Sequence, residues 1–150
     1  FLNLVDGQLF ELGDLTVEMV HVPGHTQGMF VPIAREERVA FFGDACGVFT
    51  LLILPEASTV AEYRDSLLHL REHAGDFDRV LRQHGTCESP KSILDGNIGL
   101  CDDVLSGAAD AMPHEFMGIE ALLARAVDPA TNARLDGGEG NLVYRTDRIR

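Results

Sequence analysis

The sequence predicts a mixed α/β (α+β) domain, on three observations. Short apolar runs with a two-residue period recur through the first half, at residues 15–22, 29–33 and 39–42. Two helical apolar stripes follow, one over Val60, Tyr63, Leu67, Leu70 and Ala74, the other over Ile93, Leu94, Ile98, Cys101, Val104 and Leu105. With 150 residues and 45% hydrophobic content, the chain has the size of one ordinary domain and enough apolar surface for a packed core.

In chain order, residues 8–12 and 15–22 are strand-like and meet at Gly13-Asp14, a two-residue hairpin signal. Residues 29–33 form the next strand after the turn Pro23-Gly24-His25-Thr26-Gln27-Gly28. Gly24 and Gly28 there mark positions that need either positive φ or a close approach. The charged turn Arg35-Glu36-Glu37-Arg38 leads to residues 39–42, a strand that stops at Gly43-Asp44. Residues 48–54, closed by Pro55, read as an apolar loop beside a site rather than a strand.

Ser58 or Thr59 caps the first helix, and Glu62 completes a capping box if Thr59 is the cap. The stripe carries that helix to about Ala74, and Gly75 ends it. Residues 79–84 are a short strand. Ser89 before Pro90 caps a helix over 90–106, whose Gly96 and Gly99 each cost about 1 kcal/mol against Ala and favour a bend or a late start. Residues 115–127 are expected to form a third helix, and residues 135–144 close with a turn at Asp136-Gly137-Gly138 and a last strand.

The net charge of -12, with 12 Lys and Arg against 24 Asp and Glu, argues against a polyanionic partner such as nucleic acid for this chain. The three cysteines, Cys46, Cys87 and Cys101, are odd in number and far apart, which fits reduced thiols and a cytoplasmic protein. No apolar run approaches the ~20 residues of a membrane span.

Three residues stand out chemically. His25, Asp44 and His84 each lie at the end of a strand-like run and next to glycine, where a side chain can be aimed from a rigid frame. Nitrogen and carboxylate donors together suit Zn(II), Mn(II) or Fe(II). His21, separated from His25 by strand and turn, reads as a packed or supporting histidine. Cys46 and Cys87 follow Asp44 and His84 closely enough to approach such a centre, though buried reduced thiols are the commoner outcome.

His69, Glu72 and His73 spell H-x-x-E-H, the inverted zinc-peptidase pattern, but both histidines lie far round the helix from Leu67 and are expected to face water. Asp136 to Asn141 lacks the oxygen spacing of a calcium loop, and a turn accounts for it.

Pro23, Gly24, His25, Thr26 and Gly28, followed by Gly43 and Asp44, resemble the P-G-H-T-x-G turn and G-D strand end of the metallo-β-lactamase superfamily. Arg79-Val80-Leu81-Arg82-Gln83-His84-Gly85 resembles the strand that delivers that family's next histidine, and residues 140–149 resemble the end of its small members. The resemblance implies the C-terminal portion of a four-layer αββα sandwich. It also implies roles: His25 on a first metal, His84 on a second, and Asp44 bridging both and central to catalysis. Zinc is the metal implied, with manganese or iron as alternatives; Gly43 supports the site, and Thr26 either supports it by hydrogen bonding or caps its own turn.

The family's H-x-H-x-D-H segment is not among the 150 residues. The chain is therefore expected to be part of a longer hydroxyacylglutathione-hydrolase-like (glyoxalase-like) enzyme acting on a small ester, thioester, lactone or amide, and inactive alone. Its open sheet face is expected to be covered by the missing N-terminal segment or by a second copy. A non-catalytic binding or scaffold protein that keeps the fold is the alternative, with the peptidase built on His69, Glu72 and His73 more remote.

Overall fold

The computed structural model describes residues 3–84 and 86–150; Phe1, Leu2 and Gly85, the last of these part of the histidine-glycine signature, lie outside the described residues. The alternating runs of the N-terminal half become an antiparallel meander. Strand β1 (Gln8–Glu11) pairs with β2 (Thr16–His21), β2 with β3 (Phe30–Ala34), and β3 with β4 (Val39–Gly43). A second sheet is started by β5 (Thr50–Leu52). Strand β6 (Arg79–Arg82) returns to the first sheet parallel to β4, and β7 (Glu88–Ser89) closes it, in the order β1-β2-β3-β4-β6-β7. In the second sheet the hairpin of β8 (Met112–Phe116) and β9 (Ile119–Leu123) pairs through β10 (Leu142–Tyr144) to β5, in the order β5-β10-β9-β8.

Helix α1 (Val60–Glu72) begins where the sequence says it should. The Thr59 hydroxyl accepts from the Glu62 amide at 3.2 Å, and the Glu62 carboxylate accepts from the Thr59 amide at 2.8 Å. Thr59→Ala removes half of this reciprocal cap and is expected to destabilise the chain by about 1 kcal/mol, read as a lower denaturant midpoint at unchanged slope. Helix α2 (Ile93–Ser106) starts after Ser92 rather than after Ser89, because residues 88 and 89 are drawn into pairing with Leu81 and Val80.

Period-two alternation puts Val20, Val31, Ile33, Ala40 and Val80 on one face of the first sheet. All are 0–1% exposed, and they pack on Tyr63, Leu67 and Leu70 of α1 and on Ile93 and Leu100 of α2. The opposite face carries Phe10, Val17, Met19, Pro32, Phe41 and Leu81 in cross-strand register. Phe10 is 38% exposed and Phe41 43%, and the other four are half-buried, so this apolar face is left open among the described residues.

Two further sequence expectations fail. Residues 115–127 are not a helix but most of the β8–β9 hairpin, turned at Met117-Gly118, both with positive φ (52° and 78°). Residues 48–54 are not a plain loop, since Thr50–Leu52 pairs in parallel with β10. No helix among the described residues is long and apolar enough to cross a membrane.

Candidate metal centre

Sheet topology brings the three singled-out residues to one rim. Strands β4 and β6 run parallel, with Gly43 opposite Arg82, so their carboxyl ends lie side by side. Asp44 follows the first by one residue and His84 follows the second by two. Because β3 is antiparallel to β4, the β2–β3 turn that carries His25 lies at that same end.

Local backbone then aims each side chain. At Gly43 the β4–β6 register shifts and φ is +54°, a left-handed bulge that turns Asp44 out of the strand. His84 itself sits at φ +63°, an unfavourable region for a residue with a Cβ. The Arg82 guanidinium holds that turn closed by donating to the Thr86 carbonyl at 2.9 Å and to the Thr86 hydroxyl, which donates onward to the Glu88 carbonyl at 3.1 Å. His84 is 77% exposed, yet its Nε2 lies 3.2 Å from Oδ1 of Asp44.

His25 is half-buried, and its Nδ1 lies 2.9 Å from the Leu51 carbonyl. A carbonyl only accepts, so Nδ1 carries the proton and Nε2 keeps its lone pair, the state in which an imidazole binds a cation. The turn around it is anchored three ways. Ser58 N–H donates to the Gly24 carbonyl at 2.8 Å, and the Gln27 amide donates to the Glu56 carbonyl at 3.0 Å and to the Ser58 hydroxyl at 3.1 Å. Nε2 of His21 is 2.9 Å from the Gln27 carbonyl, and its ring lies against Phe30 at 4.7 Å, so His21 fastens the base of the turn and packs.

A Cβ on Gly24 would fall 2.4 Å from the Tyr63 ring, so close approach is what this glycine permits; around Gly28 the space is open. The Thr26 carbonyl accepts from the Gly24 amide at 3.2 Å within the same turn.

The three rim donors do not close on a single point. Among the described residues the set of three whose ligand atoms lie within 4.8 Å of one another is Glu18, His73 and Asp76. That set sits elsewhere, where α1 ends against β2, and Glu18 is already bound by the Arg35 guanidinium at 2.8 and 3.2 Å. His69 and His73 are half-buried instead of facing water, because Asp6 and Glu18 of β2 lie against that end of α1. Nε2 of His69 meets Asp6 at 3.0 Å, and Nδ1 of His73 lies 3.8 Å from Glu18.

Cys46 turns into the core with its thiol 3.9 Å from the Ile93 carbonyl, and burial pushes its pKa far up; the buried Cys101 thiol is raised to about 12 in the same way. Neither supplies a thiolate. Cys87 is exposed. In the 136–141 turn the Asp136 carboxyl is held down to about 2 by the Arg134 guanidinium and the Gly138 amide, so an arginine already occupies the carboxylate a calcium loop would need.

Sequence reasoning missed the two groups that fix the rim from beneath, the Leu51 carbonyl and the Tyr63 side chain. The first is a backbone atom 26 residues from its partner. The second shows in sequence only as one position of an apolar stripe.

Two sheets, two helices and a strand-end rim make this a mixed α+β fold. The sequence profile of the metallo-beta-lactamase superfamily matches residues 2–78, over half of the chain, and the chain belongs to that superfamily. Solved structures agree on the fold. A metallo-beta-lactamase from Pontibacter korlensis superposes with a TM-score of 0.53 at 17% identity, over 64% of this chain and 46% of its own. ETHE1 from Myxococcus xanthus gives 0.51 at 20% identity, over 63% and 43%. A metallo-beta-lactamase family protein from Thermus thermophilus gives 0.50 at 20%, over 73% and 38%. The chain thus spans less than half the length of each of these structures. No curated protein sequence matches it.

Proposed function

We propose that the chain contributes His25, Asp44 and His84 to the metal centre of a hydrolase acting on a small ester, thioester, lactone or amide. The observation that supports this most is the shared rim, where a histidine with its Nε2 lone pair available, a bulge-delivered carboxylate and a strained histidine touching that carboxylate sit at one end of one sheet. The donor set fits a divalent cation of intermediate hardness, zinc first and manganese or iron next. A bound cation of this kind supplies Lewis acidity and makes water more acidic. His25 offers a neutral nitrogen already oriented by Leu51, Asp44 offers the negative charge, and His84 offers the second nitrogen.

Three donors leave the centre incomplete, which matches the share of related structures that the chain covers. The remaining ligands belong, in this reading, to a further segment of the parent protein. Its sheet would cover the apolar face that bears Phe10 and Phe41, and a second copy of the chain is the other candidate cover. A groove of about 500 Å³, lined among others by Phe30, Phe41, Asp44 and Leu81, connects that face to the rim.

Calorimetric titration of the chain with Zn(II) tests the proposal. One weak site is expected, lost on His25→Ala, with no turnover of a model thioester. Two tightly bound metals with thioester turnover by this chain alone, or binding indifferent to His25, would overturn it.

A further inference from the structure

We propose that Tyr63 is a positioning residue that sets the spacing between the His25 turn and the Asp44 loop. This rests on the reading of His25 and Asp44 as metal ligands. Tyr63 lies in the first turn of α1, is 0% exposed, and reaches both loops from below. On one side its ring occupies the space left by the missing Cβ of Gly24, so closely that an added carbon would lie 2.4 Å from Cδ2 and 2.9 Å from Cε2. On the other side its hydroxyl donates to the Ala45 carbonyl at 2.9 Å and lies 3.4 Å from the Thr50 hydroxyl.

These contacts fall on the residue just before one ligand and the residue just after the other. Ala45 is pinned twice, since its amide also donates to the Phe42 carbonyl at 2.9 Å across the Gly43-Asp44 turn. Thr50 accepts from the Gly47 amide at 3.2 Å, and its neighbour Leu51 presents the carbonyl that orients His25. A planar ring with two torsions, locked at both ends, therefore stands between the two ligand loops as a spacer. Burial raises the phenol pKa well above its ordinary value, so the group stays a neutral donor throughout the working range of such a site.

The geometry separates two functions of one side chain. Tyr63→Phe keeps the ring under Gly24 and removes the bond to Ala45 together with the longer contact to Thr50, leaving a buried carbonyl without its donor. Tyr144, 3% exposed on β10, supplies a control for loss of a phenol hydroxyl elsewhere.

The test is Co(II) titration of the chain, followed by the visible d–d spectrum, in the wild type, Tyr63→Phe, Tyr144→Phe and Asp44→Asn. Tyr63→Phe is expected to bind Co(II) about tenfold more weakly, the factor carried by one buried hydrogen bond, with an altered band shape. Tyr144→Phe is expected to match the wild type in both. A merely structural Tyr63 would lower the melting temperature without changing the spectrum of the loaded protein.

If Tyr63→Phe keeps wild-type affinity and spectrum while Asp44→Asn loses binding, the spacer role is wrong and the metal-site reading survives. If Asp44→Asn binds as the wild type does, or the wild type binds no Co(II) at millimolar metal, both fall. Should Tyr63→Phe not fold, Thr50→Val removes the neighbouring hydroxyl with the ring untouched; it is expected to weaken binding in the same direction, and unchanged binding overturns the proposal.

Discussion

Asp44→Asn is expected to lower the affinity of the chain for Zn(II) by at least about 100-fold, the upper end of what loss of a supporting partner costs a metal site, while leaving the fold intact. The substitution is isosteric and removes one thing, the negative charge at the rim. Asp44 is half-buried, and its neighbour His84 at 3.2 Å is 77% exposed, so the pair itself contributes about 0–1 kcal/mol to stability. Gly43 still supplies the left-handed bulge, and the Ala45 amide still closes the turn onto the Phe42 carbonyl. Metal affinity and melting temperature should therefore part company. Calorimetry with Zn(II) beside a thermal melt reads both, and a variant that binds zinc as the wild type does removes Asp44 from the centre.

What could be read from the sequence here is what is local. The hairpin at Gly13-Asp14, the Thr59–Glu62 capping box and the α1 stripe are each decided by residues within a few positions of one another, and each stands in the structure. The misread hairpin shows the converse. Residues 115–127 are rich in Glu, Leu and Ala, all good helix formers, and their turn is Met117-Gly118 rather than the Asn-Gly or Asp-Gly that usually announces two positive φ values.

Pairing of β9 with β10, some twenty residues further on, outweighs that propensity. The three-residue β5 exists only because β10 arrives beside it from the far end of the chain. For the site, the strand-end positions of His25, Asp44 and His84 were legible because glycine and the end of alternation mark where sheet gives way to loop. What orients them was not: a carbonyl on β5 and a ring on α1 are long-range groups that leave no spacing in the sequence, and the clamp from Arg82 to Thr86, though local, matches no recognised turn signal.

Gly24→Ala is expected to destabilise the chain by about 2–3 kcal/mol, the upper part of the range for overpacking a close-fitting interior, and to weaken metal binding as well. The position has no positive φ, so the cost does not come from the backbone conformation of alanine. It comes from a methyl placed 2.4 Å from a ring that has nowhere to go. Tyr63 is fully buried, its hydroxyl is tied to Ala45, and a shift of the ring by the ångström or so required would stretch that 2.9 Å bond.

The turn cannot easily yield instead, because the Gly24 carbonyl is held by Ser58 at 2.8 Å and the next residue, His25, by Leu51 at 2.9 Å. Whichever side moves, His25 or Asp44 moves with it. A paired measurement decides the matter: denaturant unfolding for the stability loss, and Co(II) titration for the site. Gly28→Ala is the control, since a Cβ there meets nothing within 4 Å and should leave both readings near the wild type. Equal behaviour of the two alanine variants would mean that the ring beneath Gly24 gives way freely, and that the turn keeps its geometry without it.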